Sequence, residues 1–240
     1  MKRFICTFLF DIMPVQRNSY LSLISELQSK NVTLVAVSKI KPIEDIKELY
    51  DLGQRDFGEN YVQELADKQP QLPGDIRWHF IGHLQSNKVK YIAPFVQLIH
   101  AVDSLKLLKE INKQALKNNR VIDCLLQVHI AQEETKFGFS EKELEDLFNT
   151  NLSELHELKN VRVKGLMGMA SLTDDMNKVR KEFSYLRSLY EKIKSKYSIF
   201  NIQFSILSMG MTSDYKIAIE EGSNMVRIGS LIFGERDKKD

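Results

Sequence analysis

Apolar residues recur along this chain in two alternating rhythms. Short runs with both parities apolar give way to segments where apolar positions return every three or four residues. The first rhythm fits strands covered on both faces, as in a parallel sheet, and the second fits amphipathic helices lying against it. Residues 32–39 set the pattern. Leu34 and Ala36 alternate with Val35 and Val37, Asn31 and Pro42 bound the run, and Lys39 ends it. Residues 16–29 read as a preceding helix with Tyr20, Leu23, Ile24 and Leu27 on one stripe. After the strand, Pro42, Glu44 and Asp45 suit a helix's first turn, Ile46, Leu49 and Tyr50 its buried stripe, and Gly53 its end.

Further strands are expected at 56–59, 76–81, 95–100, 121–130, 161–167, 205–208 and 225–228. Helices fall between them at 61–68 and 86–92. Another is capped by Ser104 and carries Leu107, Leu108, Ile111 and Ala115, and Ser140 with Glu143 opens the next as a capping box. Thr173 is expected to cap a long helix with the stripe Met176, Val179, Phe183, Leu186, Tyr190 and Ile193, and Ser213 to open a short one ending at Gly222. Strand and helix thus alternate eight times over short connections, which predicts an α/β fold: a single-domain (β/α)₈ TIM barrel. Such barrels take about 250 residues, and this chain has 240. Residues 16–236 are therefore expected to form the barrel, 1–15 an N-terminal extension and 237–240 a charged tail. The rival, an open doubly wound sheet, would bring a glycine-rich turn after the first strand, where Ser38 to Lys41 has none.

Composition narrows the class. Hydrophobic residues make up 43% and charged residues 28% of the chain, with a formal charge of +2 and no basic block. That balance argues against nucleic acid as a partner. No apolar run is long enough to cross a bilayer. Two basic residues and an apolar stretch at the start resemble a signal peptide, but Asp11 interrupts the stretch, and the reading adopted is a true start at Met13. Cys6 and Cys124 are far apart with no CxxC, as expected of a reducing, cytoplasmic compartment.

In a barrel the strand ends share one face, and that face carries the chemistry. Lys39 ends the first strand. Small and hydroxyl residues gather after the last two, in Met209 to Ser213 and at Gly229-Ser230. Loops after strands seven and eight commonly form a phosphate site. A phosphate cradle facing an amine fits an aldehyde cofactor held as a Schiff base. Burial would favour the neutral amine of Lys39. Arg227, always charged and donor-only, would keep a pyridine nitrogen unprotonated and the ring a weak electron sink.

Other residues invite competing readings. His79 and His83 have the spacing of a helical metal pair but fall on a strand, without the HExxH glutamate. Met167, Met169, Met209 and Met211 read as packing rather than as soft-metal ligands, Trp78 as core, and Cys124 as a buried thiol. Lys136-Phe137-Gly138 is a candidate second anion contact, weighed against an ordinary solvated loop. No catalytic triad can be proposed on spacing.

Five segments together resemble the pyridoxal-phosphate homeostasis proteins, single-domain relatives of the alanine racemase barrel. They are VAVSKIKP at 35–42, FGENYVQE at 57–64, WHFIGHLQSNK at 78–88, SMGMTSD at 208–214 and VRIGSLIFG at 226–234. The resemblance implies a fold-type III barrel with pyridoxal 5'-phosphate (PLP) as an internal aldimine on Lys39. It implies that Arg227 faces the pyridine nitrogen, that Thr212, Gly229 and Ser230 surround the phosphate, and that Asn60 and His83 lie near the cofactor. Ser208 and Met209, which open the fourth segment, join the cofactor-binding set. The family usually shows serine at Thr212, so the hydroxyl is kept. The implied role is to buffer and deliver PLP, with PLP-dependent apoenzymes as recipients, in a cytoplasmic monomer with no metal and no robust catalysis. The alternative is a weak amino-acid racemase. Racemases of this type carry a further β-domain and a second base from a partner subunit, and neither is expected in this chain.

Overall fold

The computed structural model describes residues 15–131, 137–197 and 204–234. The expectations for 1–14, Lys136 and 237–240 lie outside them. Eight parallel strands, β1 (Thr33–Val37), β2 (Asp56–Glu59), β3 (Arg77–Phe80), β4 (Leu98–Val102), β5 (Ile122–Gln127), β6 (Val161–Met167), β7 (Ile206–Ser208) and β8 (Met225–Ile228), close into a barrel in chain order. Closure is made by β8 pairing back to β1, with Val35 opposite Arg227. Each strand reaches the next through helix, as the chirality of parallel crossovers requires.

The double parity of the β1 run follows from this closure. Val35 points into the barrel with Leu98, Leu125, Met167 and Met225. Leu34 and Ala36 face the surrounding layer, which packs Phe57, Trp78, Phe80, Ile111 and Phe183 between barrel and helices. Both faces are dry, so both parities are apolar.

The helices are α1 (Arg17–Ser29), α2 (Ile43–Asp51), α3 (Val62–Lys68), α4 (Val89–Ile92), α5 (Leu105–Lys117), α6 (Glu141–Asn149), α7 (Leu152–Glu157), α8 (Met176–Tyr197), α9 (Tyr215–Glu220) and α10 (Ser230–Phe233). Ser104 caps α5, and Ser140 with Glu143 forms the expected capping box on α6. Five features differ from the pattern-based reading, the first being the fifth strand, which ends at Gln127 rather than at residue 130. The fourth strand begins at Leu98, because the amides of Phe95 and Val96 still donate to Ile92 in the turn that ends α4. Asp175, not Thr173, caps α8: its Oδ1 accepts from Asn177 and Lys178 at 3.0 and 3.2 Å. Ser213 does not cap α9, which starts at Tyr215 after a turn in which Asp214 Oδ1 accepts from Met211. The short helices α7 and α10 are additional.

Cys124 is buried, and burial raises its thiol pKa further, so it packs as an inert apolar group. Among the described residues no helix is long and apolar enough to cross a membrane.

Candidate functional site

A cavity of about 580 Å³ opens at the carboxyl ends of the strands. Lys39 lines it from the end of β1, Asn60 from β2, Thr212 and Ser213 from the loop after β7, and Arg227, Gly229 and Ser230 from β8 and its end. Val37, Ile81, Met169 and Met211 supply apolar wall. Ser230 donates to Thr212 Oγ1 at 3.1 Å, so the loops after β7 and β8 meet at the rim.

Lys39 is half-buried, and the backbone on both sides of it is held from behind. Ser38 donates its hydroxyl to Glu59 Oε1 at 2.6 Å. Lys68, nearly buried on α3, donates to the Ser38 carbonyl and to Glu59, both at 2.9 Å, and pairs with Glu64. Glu64 in turn accepts the amide of Ile40 at 2.6 Å. Ile40 adopts φ 62°, a left-handed conformation that a β-branched residue holds only under constraint. Burial raises the Glu59 pKa, Lys68 acting against it, and the carboxylate's Oε2 has no partner among the described residues. In the same loop, Lys41 donates to the Phe233 carbonyl at 2.8 Å, tying the β1 loop to α10.

Two glycines let this rim close. A Cβ on Gly82 would lie 2.2 Å from the Asn60 carbonyl, so the β2 and β3 ends can touch only without one. Gly210 has φ 97°, and its Cβ would meet Ala218 at 2.6 Å, so glycine alone allows the turn that brings Met211 and Thr212 over the cavity.

Arg227 is 4% exposed. It donates to Ser208 Oγ at 2.7 Å and to the Gly168 carbonyl at 3.1 Å. Burial lowers its pKa to about 10, with Asp214 opposing, and the guanidinium stays charged at neutral pH. Asp214, also buried, has its own pKa raised by burial.

The structure therefore brings Lys39, Asn60, Thr212, Arg227, Gly229 and Ser230 onto one cavity. Ser208 lies beneath it, fully buried under Arg227. Met209 has its side chain in the outer core, while Met211 lines the wall. His83 is exposed near the mouth, stacked on Phe137 with 3.8 Å between ring centres and 3.3 Å from Asp103. His79 points into the barrel, away from His83, and bonds to His100 and Asp56. Glu59 and His100 fall at strand ends in the sequence, but nothing there marks Lys68 or Glu64. Glu64 and Lys68 stand four apart on a helix, the spacing of an ordinary solvated pair, and nothing in the pattern says that this pair faces inward.

Comparison with known proteins agrees with this geometry. The family model for the alanine racemase N-terminal domain matches residues 19–237. A pyridoxal phosphate homeostasis protein of Aquifex aeolicus is 45% identical over 204 residues, covering 85% of this chain and 86% of that one. Its counterpart in Escherichia coli is 36% identical over 212 residues, 87% of either chain. The structure of PipY from Synechococcus elongatus with PLP bound superposes with a TM-score of 0.81 at 34% identity, over 90% of this chain and 99% of that one. Alanine racemase of Clostridium difficile shares the fold at a TM-score of 0.70 and 16% identity, this chain covering 59% of it. On these likenesses and on the barrel itself, the chain belongs to the pyridoxal phosphate homeostasis proteins, a family built on the alanine racemase N-terminal barrel.

Proposed function

We propose that this protein binds PLP in the cavity at the barrel mouth and holds it for delivery to PLP-dependent apoenzymes, as a cytoplasmic monomer. The observation that carries the reading is one cavity lined by an amine, a guanidinium and a small-residue hydroxyl cradle. A second observation tests the fit. The amide oxygen of Asn60 is buried at this cavity with no partner among the described residues, and a buried acceptor calls for a donor. PLP is the relatives' namesake and is bound in the PipY structure.

When bound, the cofactor supplies an aldehyde that a primary amine captures with loss of water. Lys39 is the one lysine lining the cavity among the described residues and presents that amine. Thr212, Gly229 and Ser230 would hold the phosphate, their hydroxyls and backbone N–H groups directed at an anion. Arg227 would face the ring nitrogen as a donor that has no proton to give up. A ring held that way draws electrons weakly, which suits storage over carbanion chemistry. Racemisation needs a proton-transfer group within reach on each face. Among the described lining residues only Lys39 is a candidate, which supports a holding role.

Titration of the ligand-free protein with PLP tests the reading. A visible absorption band should appear with one equivalent bound. Lys39→Ala should lose that band and bind at least about tenfold more weakly, about 1.4 kcal/mol. An unchanged band in that variant would place the amine elsewhere. Incubation with L-alanine in heavy water checks the racemase alternative, and the expected result is no catalytic deuterium incorporation at Cα.

A further inference from the structure

A line of polar groups, buried except for its half-buried foot, runs up the inside of the barrel to Arg227. Asp56 stands at the foot of β2, His79 on β3, His100 on β4, Ser208 at the top of β7 and Arg227 on β8. The links are Arg227 Nη1 to Ser208 Oγ at 2.7 Å, Ser208 Oγ to His100 Nδ1 at 3.2 Å, His100 Nε2 to His79 Nδ1 at 2.9 Å, and His79 Nε2 to Asp56 Oδ1 at 3.0 Å. Arg77 holds the same carboxylate through Nε and Nη2. His79 is 2% exposed, and His100 and Ser208 are fully buried. An interior otherwise walled by Leu98, Leu125, Met167 and Met225 does not spend four polar side chains on packing.

Counting donors fixes the protons. A guanidinium only donates, so Ser208 Oγ accepts from Arg227 and its own proton is left for His100 Nδ1. His100 then carries its hydrogen on Nε2 and donates to His79 Nδ1. His79 carries its hydrogen on Nε2 and donates to Asp56, which as a carboxylate can only accept. Every link has one donor and one acceptor, and all of them point away from Arg227. The reverse order would set a bare His79 nitrogen against a carboxylate and leave the Ser208 proton without an acceptor.

We propose that Asp56, His79, His100 and Ser208 form a proton-ordered relay that positions Arg227, the Asp56 carboxylate fixing, from the foot of the barrel, the direction in which the guanidinium presents its remaining N–H groups to the cavity. The four are positioning residues. Their action on a bound cofactor rests on the reading that Arg227 meets its ring nitrogen.

Two measurements test this. In ligand-free protein at pH 7, nitrogen-15 NMR of the imidazoles should show His79 and His100 both as neutral Nε2–H tautomers. Asp56→Asn offers His79 either an oxygen or an N–H, so a second tautomer should appear at both histidines. In PLP-loaded protein, Asp56→Asn and Ser208→Ala should each shift the pH at which the visible band converts by at least about half a unit, with Lys39 still the modified residue. Ser208→Ala changes one buried atom and keeps the test open if Asp56→Asn does not fold. An Nδ1–H tautomer at His100 in the native protein overturns the proton order. Unchanged tautomers in Asp56→Asn, or an unshifted band in Ser208→Ala, overturn the coupling. A native protein that gives no visible band overturns the cofactor reading, and the ligand-free spectra still decide the relay.

Discussion

At the scale of single residues, the site depends on charges that never touch the cavity. Lys68 joins the Ser38 carbonyl, Glu59 and Glu64 behind the Lys39 loop. Removing it leaves the Glu59 carboxylate, fully buried, without its cation. Stranding one member of a buried ion pair costs about 3–5 kcal/mol. Lys68→Met should therefore lose that much in urea unfolding, and the double variant with Glu59→Gln should recover a large part of it. A loss under 1 kcal/mol in the single variant would mean that the pair is screened rather than buried. Asp56 gives a pH-dependent counterpart. Burial alone would raise its pKa, but the hydrogen bonds from Arg77 and His79, with the charge of Arg77, outweigh burial and pull it to about 2 from 3.8. A depressed carboxylate stabilises the fold above its unfolded pKa and loses that contribution as pH falls through the folded one. The shift corresponds to about 2 kcal/mol. Asp56→Asn should accordingly be less stable than the native protein by about that amount at pH 7. The difference should hold down to about pH 4 and close toward pH 2, read from urea midpoints across that range.

At the scale of elements, all eight expected strands are present, and most are marked by apolar runs that are bounded by turn residues and too short for a buried helix. The apolar rhythm was least informative where one short segment had to be divided between helix end and strand start. Phe95 and Val96 are as apolar as the strand they precede, and only the hydrogen bonds back to Ile92 assign them to the turn. The start of α8 has the same character. Thr173 and Asp175 are both capping residues, and the sequence offers no means to choose between them. The structure does, since Asp175 takes two amides of the first turn while Thr173 Oγ1 takes only the Asp175 amide. Asp175→Ala should cost about 1 kcal/mol and Thr173→Ala under about 0.5, measured side by side by thermal unfolding. Equal costs would return the cap to Thr173. α10 spans only Ser230–Phe233, too short to carry a periodic signal.

At the scale of the whole molecule, closure of the barrel turns eight separate strand ends into one site. Lys39 and Gly229 stand 190 positions apart in the chain, yet β1 and β8 are paired neighbours, and both residues line the same cavity. That much could be read in advance, since strand ends are where such folds keep small and reactive residues. The interior line from Asp56 to Arg227 could not. Its two histidines lie on neighbouring strands with an ordinary spacing for the interior, and only the closed geometry shows them bonded. The central claim is that one amine, Lys39, takes up the cofactor. Its most direct test is borohydride reduction of the PLP-loaded protein, followed by proteolysis and mass mapping of the modified lysine. The expected result is a single phosphopyridoxyl adduct on Lys39. An adduct on any other lysine with Lys39 unmodified, or no adduct at all, would contradict it.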